Sequence, residues 1–224
     1  MTKLVSRATY GAALSAFASD LTLNQLMYDK SAFLVPASYQ IYLSTNNLNM
    51  NQIYIDQLMS DSSLELGIIQ YQYIQRNYEV TNNISISGLT LFADYVGSYL
   101  RQQAAVINIL AQGLKLTIDN ALVNTPKMDS FQITLSSSCD LLFSNIVYSY
   151  SEGKFAQVNQ PSNSNCSLQI INYKEQTDLL FINSQYAFVF GASQKQGNIY
   201  LKNINSKHHA LLDFSCQNCT FQAR

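Results

Sequence analysis

Short apolar runs separated by polar corners recur along most of this chain. Ile41-Tyr42-Leu43, Ile53-Tyr54-Ile55 and Leu64-Glu65-Leu66-Gly67-Ile68 are early examples. Ile84 to Leu91 and Leu114 to Ile118 alternate apolar and polar positions more cleanly. Period two puts successive side chains on opposite faces, so these runs predict half-buried β-strands. Asn46-Asn47, Asn49-Met50-Asn51 and Asp119-Asn120 interrupt them as corners do, and Gly88 marks a bend or bulge within its run. Tyr71 to Tyr78 reads as one more strand, with Tyr on one face. Two stretches depart from the pattern. Leu4, Ala8, Leu14, Phe17 and Leu21 fall at mostly helical spacing in an Ala-rich segment, which predicts an amphipathic helix within residues 1–30. Tyr95 to Ile109 tolerates a short helical interruption. Pro36 marks the turn from that first segment into the strands, and Thr125-Pro126 marks a loop.

From Phe131 to Phe221 the pattern reads as one unit written more than once. Asp140-Leu141-Leu142-Phe143-Ser144-Asn145 recurs as Asp178-Leu179-Leu180-Phe181-Ile182-Asn183, with a weaker echo at Ala210-Leu211-Leu212-Asp213-Phe214-Ser215. From position 140 to position 178 the interval is 38 residues. Short β-type runs precede each copy: Phe131 to Leu135, Leu168 to Ile171, and Ile199 to Leu201. A self-similar interval within about 20–50 residues is the signature of a stacked array. One such unit cannot bury its apolar face alone, but stacked about 4.8 Å from a neighbour it can. The expected architecture is therefore all-β: a solenoid of parallel coils, residues 31–224, with residues 1–30 as a capping helix over its open end. An ordinary β-sandwich with look-alike strands is the competing architecture. Residues 1–30 also admit a second reading, a weak secretory signal, with Lys3 and Arg7 before Ala8 to Phe17 and an Ala16-Phe17-Ala18 cleavage site. No linker divides residues 1–224, so one domain is expected.

Two stretches, Ile199-Tyr200-Leu201-Lys202-Asn203-Ile204-Asn205 and Leu212 to Phe221, carry short apolar runs with Asn or Cys at the corners. In this they resemble right-handed parallel β-helix proteins of the pectate-lyase-like kind, over the last two thirds of the chain. The resemblance is one of residue types rather than of a signature motif. It implies a right-handed parallel β-helix and no activity.

Composition narrows the field. The chain has 224 residues, 47% of them hydrophobic, enough for one sizeable core. Charged residues are only 12%, about half the ordinary share, and the hydrophobic content excludes a disordered chain. A formal charge of −1 leaves no basic patch for a phosphate backbone, which disfavours nucleic acid as a partner. The 15 Tyr and 11 Phe suit strands. No run of about 18 unbroken apolar residues is present, so no transmembrane segment is expected.

Four cysteines, Cys139, Cys166, Cys216 and Cys219, are compatible with two disulfides or with buried thiols, and their pairing stays open. Zinc at Cys216 and Cys219, with His208 or His209, lacks a fourth ligand, so neither a metal nor a cofactor is expected. Asn83, Asn165 and Asn218 head Asn-x-Ser/Thr sequons. With the cysteines and the low charge they point to an extracellular or cell-surface setting, the cytoplasm being the alternative.

Motifs for nucleotide, zinc-protease, calcium and nucleophile-elbow chemistry are missing. His208 and His209, the only histidines, sit in a polar corner with no nucleophile beside them. One catalytic alternative stands. If the two Leu-Leu-Phe runs stack in register, Asp140 and Asp178 lie about 5 Å apart, a separation suited to acid–base work on a glycosidic bond. Turn-capping by each Asp is the simpler account. Tyr148, Tyr150, Tyr173 and Tyr186 flank these runs and could stack on sugar rings or on a protein partner, or pack as half-buried strand residues. The expected function is a non-catalytic structural or binding module for a protein or carbohydrate ligand. A polysaccharide lyase or glycoside hydrolase is the first alternative, and a fragment of a larger β-helical protein is the second.

Overall fold

The computed structural model describes residues 14–29, 41–60, 69–73, 81–96, 105–125, 129–149, 153–162, 164–176, 186–207 and 210–224. In chain order the strands are β1 (Leu14–Phe17), β2 (Asp20–Asn24), β3 (Met27–Asp29), β4 (Ile41–Ser44), β5 (Asn47–Ser60), β6 (Ile69–Gln72), β7 (Thr81–Val96), β8 (Ala105–Ala111) and β9 (Gly113–Asn124). They continue as β10 (Asp129–Leu135), β11 (Cys139–Ser149), β12 (Ala156–Asn159), β13 (Cys166–Gln176), β14 (Tyr186–Phe190), β15 (Gln194–Asn205), β16 (Ala210–Asp213) and β17 (Cys216–Ala223). Among the described residues there is no helix.

The chain alternates between two parallel sheets. The eight-stranded sheet runs β1-β4-β6-β8-β10-β12-β14-β16, and the nine-stranded sheet runs β2-β5-β7-β9-β11-β13-β15-β17, with β3 also on β5. Each pass through both sheets makes one layer, and each layer pairs with the next in both. Equivalent residues are 22 to 38 positions apart, because the connections differ in length. Two many-stranded parallel sheets joined this way are compatible with a parallel β-helix.

Inward positions form columns. In the nine-stranded sheet Leu48, Ile84, Leu116, Leu141 and Leu168 stack in register, as do Met50, Ile86, Ile118, Phe143 and Ile170, and all are buried. In the eight-stranded sheet Ile41, Ile69, Ile107, Phe131, Ala156 and Phe188 do the same. Sheets buried against each other in this way need apolar, β-branched or aromatic residues at every second position. The centre of the core is aromatic. The Phe155 ring lies 5.1–5.8 Å from the rings of Phe131, Phe143, Tyr148, Tyr173 and Phe188.

Each long strand of the nine-stranded sheet bends at one residue. Gln25, Gln52, Gly88, Asn120, Asn145, Asn172 and Asn203 all have φ between 54° and 65°. Registers either side of the bend place these residues in one column. Gly and Asn are the residues that enter this left-handed region at least cost. The Asn side chains link the layers: Asn172 Nδ2 donates to Asn145 Oδ1 at 2.8 Å, and Asn203 Nδ2 donates to Asn172 Oδ1 at 2.9 Å. Asn145 Nδ2 donates to the Asp119 carboxylate at 2.8 Å.

The structure corrects three expectations. The helix expected within residues 1–30 is not found where it can be seen: residues 14–29 form β1, β2 and β3, and residues 1–13 lie outside the described residues. Leu14 and Ala16, then Leu21 and Leu23, alternate toward the core, while Phe17 is 72% exposed. Of the helical interruption expected over Tyr95 to Ile109, Tyr95 and Val96 belong to β7 and Ala105 to Ile109 to β8, where Ile107 and Ile109 point inward and pair with both neighbouring layers; residues 97–104 lie outside the described residues. The repeat was also out of phase. Asp140 to Phe143 pairs with Ser167 to Ile170, so the Leu168 run is the equivalent of the first Leu-Leu-Phe run and not of Phe131 to Leu135. The third copy, Ala210 to Asp213, lies in the other sheet. Asp178 to Asn183 lies outside the described residues.

Candidate functional site

The alternation that buries Leu48, Met50, Ile84 and Ile86 turns the intervening residues outward. On the nine-stranded sheet Asp20, Asn47, Asn83 and Lys115 form one exposed column. Thr22, Asn49, Ser85 and Thr117 form the next, and Asn24, Asn51, Ser87 and Asp119 the third. Layers are about 4.8 Å apart and alternate residues about 7 Å apart along a strand, so these side chains make a grid of amides, hydroxyls and a few charges. Side chains tie neighbouring layers. Asn47 Nδ2 donates to Asp20 Oδ1 at 2.6 Å, Asn83 Nδ2 to Asn47 Oδ1 at 2.9 Å, and Asn51 Nδ2 to Asn24 Oδ1 at 2.9 Å. The first two columns line a shallow depression of about 390 Å³.

Each outward amide offers a donor and an acceptor, and each hydroxyl can serve as either. Asp20 and Lys115 offset one another at opposite ends of the first column. The grid is therefore a pre-ordered, nearly neutral hydrogen-bonding surface without the aromatic and Arg anchors of a protein interface.

Asp140 continues the first column. Its register neighbours are Lys115 and Ser167, and its expected companion Asp178 lies outside the described residues. Among the described residues, no second carboxylate occupies those two positions. Of the tyrosines expected to flank the site, Tyr148 and Tyr173 are buried in the core, Tyr186 is half-buried, and Tyr150 lies outside the described residues. Burial pushes the Tyr148 phenol well above its ordinary range, against a smaller opposing effect of the Thr125 and Ser130 hydroxyls. Those two hydroxyls are themselves 2.7 Å apart. A buried carboxylate, Glu175, sits below: Tyr173 donates to it at 3.0 Å, Ser206 at 2.9 Å, and the Lys207 backbone N–H also donates to it.

The cysteines are paired. Cys139 bonds Cys166 across adjacent layers, with Cα atoms 4.4 Å apart, and Cys216 bonds Cys219 within β17. Cys166, Gly197 and Cys219 stack in one column, and a Cβ at Gly197 would collide with the Cys166 carbonyl, so this position requires glycine. With both thiols of Cys216 and Cys219 in a bond, the zinc site weighed from sequence is closed. Disulfides of this kind form in oxidising surroundings. No described helix is long and apolar enough to cross a membrane. Sequence reasoning missed the grid. Its only signal was the run of Asn, Ser and Thr at every second position of Asn47 to Asn51 and Asn83 to Ser87.

Comparison with protein-family models, curated proteins and solved structures finds no match to this chain.

Proposed function

We propose that residues 1–224 form one right-handed parallel β-helix domain that works outside the cell or at its surface as a non-catalytic binding module. Its ligand is a neutral polysaccharide, held against the outer face of the nine-stranded sheet. The observation that carries this reading is the grid: on β2, β5, β7 and β9 the twelve outward positions that precede the corner residue hold no apolar side chain, over a shallow depression. Polyhydroxylated ligands present donors and acceptors at short regular intervals, and a fixed lattice of amides and hydroxyls meets them without paying for side-chain ordering. Right-handedness follows from the strong preference of parallel crossovers for that hand. The two disulfides support the compartment. Asp140, beside Lys115 and Ser167, lends no support to the lyase or hydrolase alternative.

The test is retention of the purified chain on a panel of neutral polysaccharides, with Asn49→Leu/Ser85→Leu as the comparison. Both positions are exposed, so the fold is expected to survive, as checked by circular dichroism. The expected result is retention on at least one polysaccharide and at least tenfold weaker binding by the double variant. No retention across the panel, or equal binding by the variant, refutes the reading.

A further inference from the structure

The three sequons are identical as motifs, but the structure places them in different surroundings. Asn83 stands within the grid, on β7 between β5 and β9. Its amide donates to Asn47 Oδ1 at 2.9 Å, and Lys115 stands one layer away on the other side. Asn165 and Asn218 lie elsewhere. Both are exposed, and both stack on Gln196, one from each side, where the strands of the nine-stranded sheet begin. The Asn165 backbone is fixed, because its carbonyl accepts from the Cys139 N–H at 3.0 Å. In each of these two sequons the middle cysteine points to the other face and is held in a disulfide. The Asn amide and the hydroxyl of Ser167 or Thr220 therefore project from the same face.

We propose that Asn165 and Asn218 are N-glycosylation sites and that Asn83 is not. The transfer joins Asn Nδ2 to the anomeric carbon of an oligosaccharide activated as a diphosphate. The amide loses one proton to a base, the anomeric carbon–oxygen bond breaks, and the diphosphate carrier leaves with its electron pair. At Asn165 and Asn218 the product costs no side-chain hydrogen bond, and the sugar grows away from the corner. At Asn83 it would stand between Asn47 and Lys115 and break into the grid. Two glycans two layers apart, about 10 Å, would then screen one corner and leave the polar face bare. This placement rests on the extracellular part of the reading above and not on its ligand.

The experiment expresses the full chain behind a cleavable secretion leader in a eukaryotic host. Secreted and retained protein are both collected, deglycosylated enzymatically in heavy-oxygen water, and mapped by mass spectrometry. The expected result is heavy-oxygen Asp at positions 165 and 218 and unmodified Asn at 83. Asn165→Gln and Asn218→Gln should each remove one glycan, and Asn83→Gln none. A glycan at Asn83, or a bare Asn165 or Asn218, overturns the proposal. Polysaccharide retention is measured on the same deglycosylated protein. Its loss with the glycan pattern intact would retire the ligand reading alone.

Discussion

Asn145 tests the claim that a left-handed corner residue, and not only its side-chain bonds, sets the bend of each long strand. Its φ is 54°. Its amide donates to Asp119 at 2.8 Å and its carbonyl oxygen accepts from Asn172 at 2.8 Å. Asn145→Ala removes both bonds. For exposed partners that water can reach, this costs about 1–2 kcal/mol together. It also forces a Cβ without a compensating polar group into the left-handed region, at about 1–2 kcal/mol. The sum is about 2–4 kcal/mol. Asn145→Gly removes the same bonds and relieves the backbone, though it frees the unfolded chain, for a total of about 1–2 kcal/mol. The alanine variant should therefore be the less stable by about 1 kcal/mol. Gln169 is the control. It points outward from the next layer at an ordinary strand φ, so Gln169→Gly should be less stable than Gln169→Ala by about 0.5–1 kcal/mol. Denaturant midpoints compared at a common m-value read all four differences. If Ala is as stable as Gly at position 145, or if both positions rank the same way, the backbone argument is wrong.

Three further outcomes are expected. Phe155→Ala opens a cavity among five aromatic rings and should cost about 3–5 kcal/mol by the same denaturation assay, whereas Phe155→Leu should cost less than half of that. Replacing Cys139 and Cys166 together by Ala opens a loop between residues 27 apart and should cost about 3–4 kcal/mol; the same change at Cys216 and Cys219, only 3 apart, should cost about 2 kcal/mol, both read against the intact chain under non-reducing conditions. Burial raises the phenol pKa of Tyr148 and Tyr71 above the ordinary value of 10.0, so their contribution is complete below that pH. It is lost as pH rises, because the unfolded chain gives up those protons first, so unfolding and phenolate absorbance should appear together above about pH 10.

The period-two runs are legible in the sequence because burial between two sheets demands an apolar residue at every second inward position. Leu114, Leu116 and Ile118, and likewise Ile84 and Ile86, could be placed without coordinates. The bend at Gly88 was legible for a related reason. The same corner geometry hid the rest. One left-handed residue puts two outward positions in a row, so Ile118 and Ala121, or Phe143 and Ile146, face inward at a spacing of three. That spacing imitates a helix. In residues 14–29 the corner at Gln25 does the same to Leu23 and Leu26, which weakened the strand signal there. The informative repeat was the corner itself. Ile118-Asp119-Asn120-Ala121, Phe143-Ser144-Asn145-Ile146, Ile170-Ile171-Asn172-Tyr173 and Leu201-Lys202-Asn203-Ile204 each set Asn between inward apolar residues. The more conspicuous Asp-Leu-Leu-Phe match drew the alignment out of phase, because layers of 22 to 38 residues have no fixed interval to expose the error. The disulfide pairing was beyond sequence for the same reason: Cys139 and Cys166 are partners only because the register sets them one layer apart.

The fold constrains its columns unequally. Inward columns must be apolar, and the corner column must hold residues that tolerate positive φ. The outward columns answer to neither demand. Beyond the fourth layer they drift as free positions should: Leu142, Gln169 and Tyr200 follow Thr117 in one column, and Ser144, Ile171 and Lys202 follow Asp119 in the next. Before the corner residue, the three columns across β2, β5, β7 and β9 stay polar, whereas beyond it Tyr54, Phe92 and Leu122 stand among the outward residues. A sheet face that needs only to be wet could have used Lys and Glu, which cover more surface and blunt association. It carries short amides and hydroxyls instead, several of them bonded to one another, so their directions are set before any ligand arrives. Under the binding reading proposed above, short, pre-directed polar groups at fixed spacing would suit a ligand whose own hydroxyls repeat.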